Sequence, residues 1–434
     1  MKRSLLSLLL AVSGPALLAQ TPDTAQLSKY LQALADNNRF MGSVALSKNG
    51  TVYYQKAVGM ANTTTHTPNT PQTLFRIGSI SKSFTAAMIL KAAEEGKLKL
   101  SDPLRKYIPK LPASLDATIE QTLRHRSGIH NLTSDPAYLT YNTQPQTEVQ
   151  LMARIVSGGR DFPADSMFSY SNSGYILLSM VLEKVYKMPY AQVLETKLTK
   201  PLGLKQTGVY ATGHNQNTSY SWVGKWAPEK ATDLSVPMGA GNILSTPADV
   251  THFFDALLSG TYISAAAVEQ MKTMKDGYGL GLVSFPYGTE KGYGHTGGID
   301  GYHSMGGYFP ESNIAFATVS NGLNFVQNDI AIALLATAHG EKITIPEFKA
   351  KNATTQPAGY AGIYSTGMMP AKITVTQQGS NVYMQASGQS AFPLTALGND
   401  QFEFTPAGIK VKFLLAENAF IIEQGGAEIR FEKD

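Results

Sequence analysis

The sequence predicts a mixed α/β fold of the α+β class, in which helices flank an antiparallel sheet and an all-helical region is inserted. A small all-β, barrel-like domain is predicted to follow it. Strand-prone segments occur near both ends of the first 340 or so residues. The residues between them, from about 100 to 270, are mostly helix-prone or turn-forming. From about residue 359 onward, short alternating segments separated by Gly, Asn and Asp turns replace both patterns.

The first predicted elements are a helix, a hairpin and a second helix. Leucines recur at helical spacing over residues 23–37. Two strand-prone runs then flank Asn49-Gly50, a dipeptide typical of tight hairpin turns. Residues 79–95 return to helical spacing, and Gly96 is placed to end that helix.

The remaining elements complete this domain and begin another. In chain order, we expect helices at 175–186 and 247–258, strands at 277–285, 303–310 and 313–321, and a closing helix at 329–339. The strands that follow are KITVT, NVYMQA, QFEFT, IKVKFLL and AFIIEQ. The predicted organisation is therefore a leader at 1–19, a main domain at 20–345, a linker at 346–358 and an antiparallel β-domain at 359–434.

The first residues predict a secretory signal peptide. Lys2 and Arg3 precede an apolar run over residues 5–12, and Ala19 is a suitable cleavage position before Gln20. The run is too short to anchor the chain across a bilayer, and no other stretch of the sequence is long and apolar enough. We therefore expect a periplasmic or secreted bacterial protein with no integral membrane segment after cleavage.

Composition excludes several classes of protein. The chain is 43% hydrophobic and 16% charged, which favours buried cores over disorder. Its formal net charge of +4 is spread along the chain, so no nucleic-acid partner is expected. The absence of cysteine excludes disulfides, thiolate nucleophiles and a lipid-modified cysteine. Because no compact His/Asp cluster has zinc-ligand spacing, we predict no metal and no cofactor.

Ser79-Ile80-Ser81-Lys82 is the first candidate catalytic motif. A serine at a helix start and a lysine three residues later face the same side. The helix N-terminus favours negative charge on the serine oxygen, and the lysine can take or relay the serine proton. By itself the motif is also compatible with a capped surface helix.

Tyr170-Ser171-Asn172 is the second motif. A phenol near a lysine ammonium has a lowered pKa and can act as a general base. The asparagine amide can hold either a substrate carbonyl or the lysine. By itself this motif is also compatible with a turn before a helix.

His295-Thr296-Gly297-Gly298 is the third motif. Its glycines let the backbone approach a substrate closely and can direct N–H groups at an oxyanion. By itself, His295 would be interpreted as a structural or surface histidine. Lys275-Asp276-Gly277 offers a competing Lys-x-Gly element, but its context predicts a turn into a strand.

Taken in this order, the three motifs resemble those of the serine β-lactamase and penicillin-binding protein superfamily. The flanking segments FRIGSISKSFTAAMI, LRHRSGI and AGNILSTPADV are similar to that superfamily as well, over about residues 23–339. Tyr-Ser-Asn resembles class C β-lactamases, DD-peptidases, D-aminopeptidases and β-lactamase-like esterases rather than class A enzymes. The tail resembles the accessory β-domain often attached to such enzymes.

The resemblance implies a role for each motif residue. Ser79 would attack a carbonyl, Tyr170 with Lys82 would remove its proton, and the backbone N–H groups of Ser79 and Gly298 would hold the oxyanion. The implied substrate-binding and oxyanion residues are Asn172, His295, Thr296, Gly297 and Gly298. His295 replaces the lysine of true β-lactamases. With an ordinary pKa near ~6.5 it is mostly neutral, which disfavours efficient β-lactamase activity.

The resemblance thus implies an exported serine hydrolase that works through a Ser79 acyl-enzyme. Its expected partners are small-molecule or peptide substrates, either D-amino-acid and cell-wall-type peptides or small acyl esters. The alternatives are an acyltransferase using the same acyl-enzyme, a β-lactamase, and a non-catalytic penicillin-binding or sensor protein. His125 and His130 are interpreted as loop and packing residues. The oligomeric state stays open.

Overall fold

The computed structural model describes residues 22–210, 217–348, 359–378, 381–387 and 391–434. The predicted leader at 1–19 lies outside the described residues, as does most of the predicted linker, at 349–358. Within the described part of the chain, no helix combines the length and the apolar character needed to cross a membrane.

The main domain contains helices and strands from both ends of its sequence. The helices are α1 (Thr24–Asp36), α2 (Ser81–Glu94), α3 (Ile119–Leu123), α4 (Tyr138–Tyr141), α5 (Glu148–Gly158), α6 (Asn172–Tyr186), α7 (Tyr190–Leu194), α8 (Lys200–Leu202), α9 (Pro247–Leu258), α10 (Ala265–Lys272) and α11 (Gln327–Ala338). The strands are β1 (Phe40–Lys48), β2 (Thr51–Val58), β3 (Met60–Asn62), β4 (Thr67–Pro68), β5 (Phe75–Arg76), β6 (Tyr220–Trp222), β7 (Trp226–Pro228), β8 (Leu244–Ser245), β9 (Val283–Tyr287), β10 (Glu290–Ile299), β11 (Tyr302–Phe309) and β12 (Ile314–Leu323).

The main sheet follows the antiparallel order β2-β1-β12-β11-β10-β9. β1 and β12 come from opposite ends of the domain and pair along their length, with Val44 opposite Thr318. The β1–β2 turn forms at Asn49-Gly50, where both residues adopt positive φ angles of 51° and 75° that suit a primed hairpin turn. The prediction of one antiparallel sheet built from both chain ends is confirmed.

Helices cover both faces of this sheet. On one face, α1 and α11 share an apolar cluster that includes Leu31 and Leu334. On the other face, α9 lies against β1, β11 and β12, and Phe253 of α9 stacks on Phe84 of α2 with ring centroids 3.6 Å apart. Because α6 also packs against α2, every residue of α2 from Ser81 to Leu90 is buried. The helix that carries the first motif is therefore held on several sides.

Two parts of the sheet differ from the sequence prediction. The strand predicted at 277–285 is wrong over 277–282 and begins only at Val283. The preceding residues pack against α2 instead, where the Gly281 carbonyl accepts a hydrogen bond from Ser83 Oγ at 2.7 Å. β10 escapes prediction because four of its ten residues are glycines, which have low strand propensity.

The C-terminal residues form a closed eight-stranded antiparallel barrel. Its strands are β13 (Gly362–Thr366), β14 (Met369–Gln378), β15 (Asn381–Ala386), β16 (Phe392–Gly398), β17 (Gln401–Phe404), β18 (Ile409–Leu414), β19 (Ala419–Gln424) and β20 (Ala427–Lys433). β13 closes the barrel by pairing with β20. A cluster of buried aromatic side chains, among them Tyr364, Phe413 and Phe420, fills the interior. The barrel therefore has a hydrophobic core of its own, as the alternating segments predict.

Candidate active site

The serine of the first motif lies in a short 3-10 turn, Gly78–Ile80, that leads directly into α2. The sequence predicts that the helix begins at residue 79, whereas α2 begins two residues later, at Ser81. Gly78 has a φ of 48°, and a β-carbon placed on it would lie 2.8 Å from the Gly298 nitrogen. Only glycine allows the turn to approach β10 this closely.

Lys82 lies one helical turn after the serine and is completely buried. Its Nζ donates to Asn172 Oδ1 at 2.7 Å and to the Ala240 carbonyl at 2.8 Å, and it lies 3.0 Å from Ser79 Oγ. These three partners are neutral groups, so they do not compensate for loss of hydration. Burial therefore holds the pKa of Lys82 well below its usual range. A neutral amine in this position can accept the serine proton.

Tyr170 stands on the other side of the serine and is hydrogen-bonded to it. Lys82 Nζ lies 4.8 Å from the centre of the Tyr170 ring, and the His125 ring lies 4.2 Å from it. Desolvation raises the pKa of Tyr170 above its ordinary value, and the hydrogen bond with Ser79 offsets this only in part. The prediction that the lysine lowers this pKa is therefore wrong, because desolvation of the buried phenol dominates.

Asn172 begins α6 behind the serine. Its Oδ1 accepts from Lys82, and its Nδ2 lies 3.3 Å from Asn131 Oδ1 and 3.1 Å from Thr133 Oγ1. The amide is therefore occupied on both sides by protein groups. Of the two roles that the sequence leaves open, the structure shows the contact with the lysine, and a role in substrate binding stays a prediction.

His295 is 3% exposed and lies on β10. Its Nε2 lies 2.9 Å from the Tyr278 hydroxyl, and its Nδ1 lies 2.5 Å from the Thr296 carbonyl oxygen. Burial, reinforced by the nearby Lys82, lowers the pKa of His295 to about 4. The histidine is neutral at pH 7, as expected, but the expectation of an ordinary pKa near ~6.5 is corrected.

The backbone of β10 is open where the third motif begins. β9 pairs with β10 only as far as Gly294, so residues 295–298 extend beyond it. A β-carbon on Gly297 would overlap the Ile77 carbonyl oxygen and lie 3.0 Å from the Ser79 nitrogen. The strand thus passes directly beside the nucleophile turn, an arrangement suited to backbone N–H groups that stabilise an oxyanion.

A cavity of about 410 Å³ opens in front of these groups. It is lined by Ser79, Phe168, Tyr170, Asp276, Gly277, Tyr278, Val283, His295, Thr296, Gly297 and Gly298. The structure therefore brings residues of all three motifs to one pocket, while Lys82 and Asn172 support the serine from behind. The described residues contain no group of three or more His, Asp or Glu side chains placed to hold a metal ion.

A family model described as Beta-lactamase matches residues 27–341, most of the chain. The chain belongs to the beta-lactamase family. The resemblance to the serine β-lactamase and penicillin-binding protein superfamily is thereby confirmed.

Two relatives of this chain have names that refer to penicillin binding and to D-alanine hydrolysis. Penicillin-binding protein 4* of Bacillus subtilis is 25% identical over 451 residues, which cover 93% of this chain and 97% of that protein. The teichoic acid D-alanine hydrolase of Staphylococcus aureus strain MRSA252 is 30% identical over 242 residues, or 54% of this chain and 57% of that protein.

Two solved structures have a similar fold. A D-stereospecific amidohydrolase from Streptomyces sp. has a TM-score of 0.60 and 28% identity, over 70% of this chain and 95% of that one. The octameric penicillin-binding protein homologue from Pyrococcus abyssi has a TM-score of 0.65 and covers 94% of this chain and 100% of its own. At 24% identity, that second likeness supports the fold alone.

Several pocket residues of this family member are not identified by the motifs. Tyr278 and Val283 lie in the segment that the sequence predicts as a strand, so their approach to the serine is not expected. Lys275 of the competing Lys-x-Gly element is not among the residues that line the pocket, and its Nζ bonds Asp165 at 2.8 Å. The next residue, Asp276, does line the pocket. The turn character predicted for this element is present.

The two loop histidines have different surroundings. His125 is buried, and its Nδ1 accepts the Ser171 backbone N–H at 3.1 Å. His130 lies between the carboxylates of Asp161 and Asp135, at 2.8 and 3.1 Å. Only His125 packs directly on a motif residue, through its contact with the Tyr170 ring.

Proposed function

We propose that this chain is a serine hydrolase that forms an acyl-enzyme at Ser79 and cleaves amide or ester bonds of D-amino-acid derivatives of cell-wall type. One observation carries the proposal. The Lys82 amine lies 3.0 Å from Ser79 Oγ, is completely buried and has neutral hydrogen-bond partners. A lysine in such surroundings is an amine base rather than a fixed cation.

The proposed acylation starts with Ser79 Oγ attacking the substrate carbonyl while its proton passes to Lys82. The negative oxygen that forms is held by the backbone N–H groups of Ser79 and Gly298. Tyr170 keeps its proton at rest because desolvation raises its pKa. It donates that proton to the leaving nitrogen or oxygen and recovers one from the lysine. Water then releases the acyl group by the reverse proton transfers.

The substrate class rests on the pocket and on the names of relatives. A cavity of about 410 Å³ suits a small acyl group rather than a long one. A teichoic acid D-alanine hydrolase and a D-stereospecific amidohydrolase are among the related proteins. The same pocket supports a second candidate, an esterase for small acyl esters, since Phe168, Tyr278 and Val283 form apolar walls.

We also propose that the protein is exported. The predicted leader supports this, together with relatives whose names refer to penicillin binding and teichoic acid. N-terminal sequencing of the protein recovered from periplasm or medium tests it. A mature chain that retains Lys2 and Arg3 would contradict the proposal.

A substrate panel tests the catalytic proposal. It contains a D-amino-acid amide, a D-alanyl ester, a D-Ala-D-Ala peptide, p-nitrophenyl butyrate and a chromogenic cephalosporin, with the acyl-enzyme followed by intact mass. Ser79→Ala should abolish every hydrolysis and all labelling by a serine-directed phosphonate. Ser81→Ala is the matched control, because that buried hydroxyl accepts the Ile243 N–H at 3.2 Å. Labelling of any serine other than Ser79 would contradict the assignment.

A further inference from the structure

We propose that Tyr278 is a positioning residue that determines substrate class. Its hydroxyl donates a hydrogen bond to His295 Nε2, which leaves this wall of the pocket with neither a cation nor an N–H donor. The site then selects acyl donors that carry no carboxylate beside the scissile bond. This inference rests on the Ser79 acyl-enzyme proposed above and specifies the substrates of that same site.

The direction of each hydrogen bond follows from what the atoms can do. The Thr296 carbonyl can only accept, so His295 Nδ1 at 2.5 Å carries the ring proton. A neutral imidazole has one N–H, so Nε2 is an acceptor, and the Tyr278 hydroxyl at 2.9 Å donates to it. The neighbouring Tyr175 hydroxyl, which also bonds Tyr278, donates its proton to the Leu123 carbonyl at 2.8 Å, so toward Tyr278 it is only a second acceptor. His295 Nε2, in contrast, has the Tyr278 hydroxyl as its donor.

Tyr278 is held firmly enough to fix this arrangement. It is 3% exposed and exchanges backbone hydrogen bonds with Lys275 of 3.0 and 3.1 Å across a tight turn. Arg126 bonds both Asp276 in this turn and Asp165, and Lys275 also bonds Asp165. The turn is therefore tied to the segment that leads into the Tyr170 motif.

The charges around His295 favour its neutral form. The ionisable side chains that surround it are Tyr278 before β9, Lys82 on α2, Tyr175 on α6, and Tyr170 and His125 on the intervening loops. Burial is the main cause of this preference, and Lys82, when protonated, would repel a positive charge on His295. His125 is itself held neutral by burial, which lowers its pKa. Apart from the neutral His295, the residues that line the cavity include one acidic or basic side chain, Asp276. A substrate carboxylate would therefore meet no counterion on the described walls.

The experiment compares a carboxylate-bearing substrate with a neutral one in Tyr278→Phe. The kcat/KM values for a D-Ala-D-Ala peptide and for p-nitrophenyl butyrate are measured from mildly alkaline to mildly acidic pH. Without the tyrosine donor, Nε2 loses its hydrogen-bond partner and can take a proton. In the variant, the ratio of kcat/KM for the peptide to kcat/KM for the ester should then rise about fivefold toward acidic pH, which is the effect of one partly exposed charge contact. In the wild type this ratio should stay constant. Tyr190→Phe, which removes an equally buried hydroxyl bonded to Thr85 away from the pocket, should leave the ratio flat.

A second measurement is made on the wild-type protein, with one variant used only to assign the signal. In protein labelled with ¹⁵N-histidine, and assigned with His295→Gln, the His295 ring should show the tautomer protonated at Nδ1 through neutral pH. An Nε2-protonated tautomer, or a flat ratio in Tyr278→Phe, would overturn the inference. If no substrate acylates Ser79, the proposed function itself fails. If Ser79 is acylated and the ratio does not move, only the role of Tyr278 fails.

Discussion

At the scale of single residues, burial decides the chemistry of this site. Lys82 and His295 are both nearly or fully buried, so both lose the hydration that favours their charged forms. The result is a serine flanked by an amine that can accept a proton and by an imidazole that stays neutral. Positive charge in this pocket therefore has to come from the substrate or from the reaction itself.

Lys82→Arg should nearly abolish activity while the protein stays folded. A guanidinium remains charged at all working pH values and cannot accept the proton of Ser79. We expect kcat for any substrate of the panel to fall about 10³-fold, within the range known for loss of a general base. Steady-state kinetics beside a thermal melt measure this. A folded variant with wild-type kcat would exclude the lysine as proton acceptor.

His295→Lys tests whether a positive charge at position 295 favours substrates that carry a carboxylate. A lysine at this position would supply a charge for a substrate carboxylate, so kcat/KM for a cephalosporin should rise relative to p-nitrophenyl butyrate. One charge contact limits the gain to about tenfold. Because the pKa of His295 is about 4, the gain should appear at mildly acidic as well as alkaline pH. An unchanged ratio over this range would show that no substrate carboxylate approaches position 295.

His295 should also make the fold sensitive to acid. Its pKa is about 4 in the folded protein and 6.5 when exposed, so the unfolded chain binds the proton first. The free energy of unfolding should therefore be fully retained above pH 6.5 and decrease as the pH falls from 6.5 to about 4. The contribution is about 3 kcal/mol, and His295→Gln should remove it from the pH dependence of denaturant unfolding. Equal pH slopes in variant and wild type would contradict this.

At the scale of elements, catalysis depends on how closely β10 passes the turn before α2. Gly297→Ala would drive a methyl group into the Ile77 carbonyl and against the Ser79 nitrogen. We expect kcat to fall about 100-fold or more, because the oxyanion donors would move apart. Gly298→Ala is the comparison, since its methyl would meet no atom closer than 4.0 Å at Tyr302, and its loss should be at least about tenfold smaller. Similar losses for the two variants would contradict this account of the strand.

At the scale of the whole molecule, we expect the barrel to fold as a unit of its own and to hold no catalytic group. The lining of the active-site cavity comes from Ser79 to Gly298, and the barrel has its own aromatic core. A chain that ends at Glu347 should remain folded and hydrolyse a small activated ester with a kcat/KM within about threefold of the full chain. Circular dichroism and ester kinetics measure both properties. A soluble, folded truncation without activity would show that the barrel contributes to the site.

The sequence by itself determined the features that depend on local patterns. The hairpin at Asn49-Gly50, the spacing from Ser79 to Lys82 and the alternating strands of the barrel follow from turn preferences and periodicity within short segments. The family also follows from the sequence, because ordered motifs carry their own statistical weight. The leader at 1–19 and the export that it implies remain predictions.

Only the tertiary structure decided the chemical state of those residues. The partner of Asn172, the raised pKa of Tyr170 and the low pKa of His295 each depend on burial by segments distant in sequence. Tyr278 becomes a pocket residue only because the chain before β9 packs on α2 rather than continuing as a strand. Local patterns carry no record of which distant groups remove water from a side chain, and desolvation sets these protonation states.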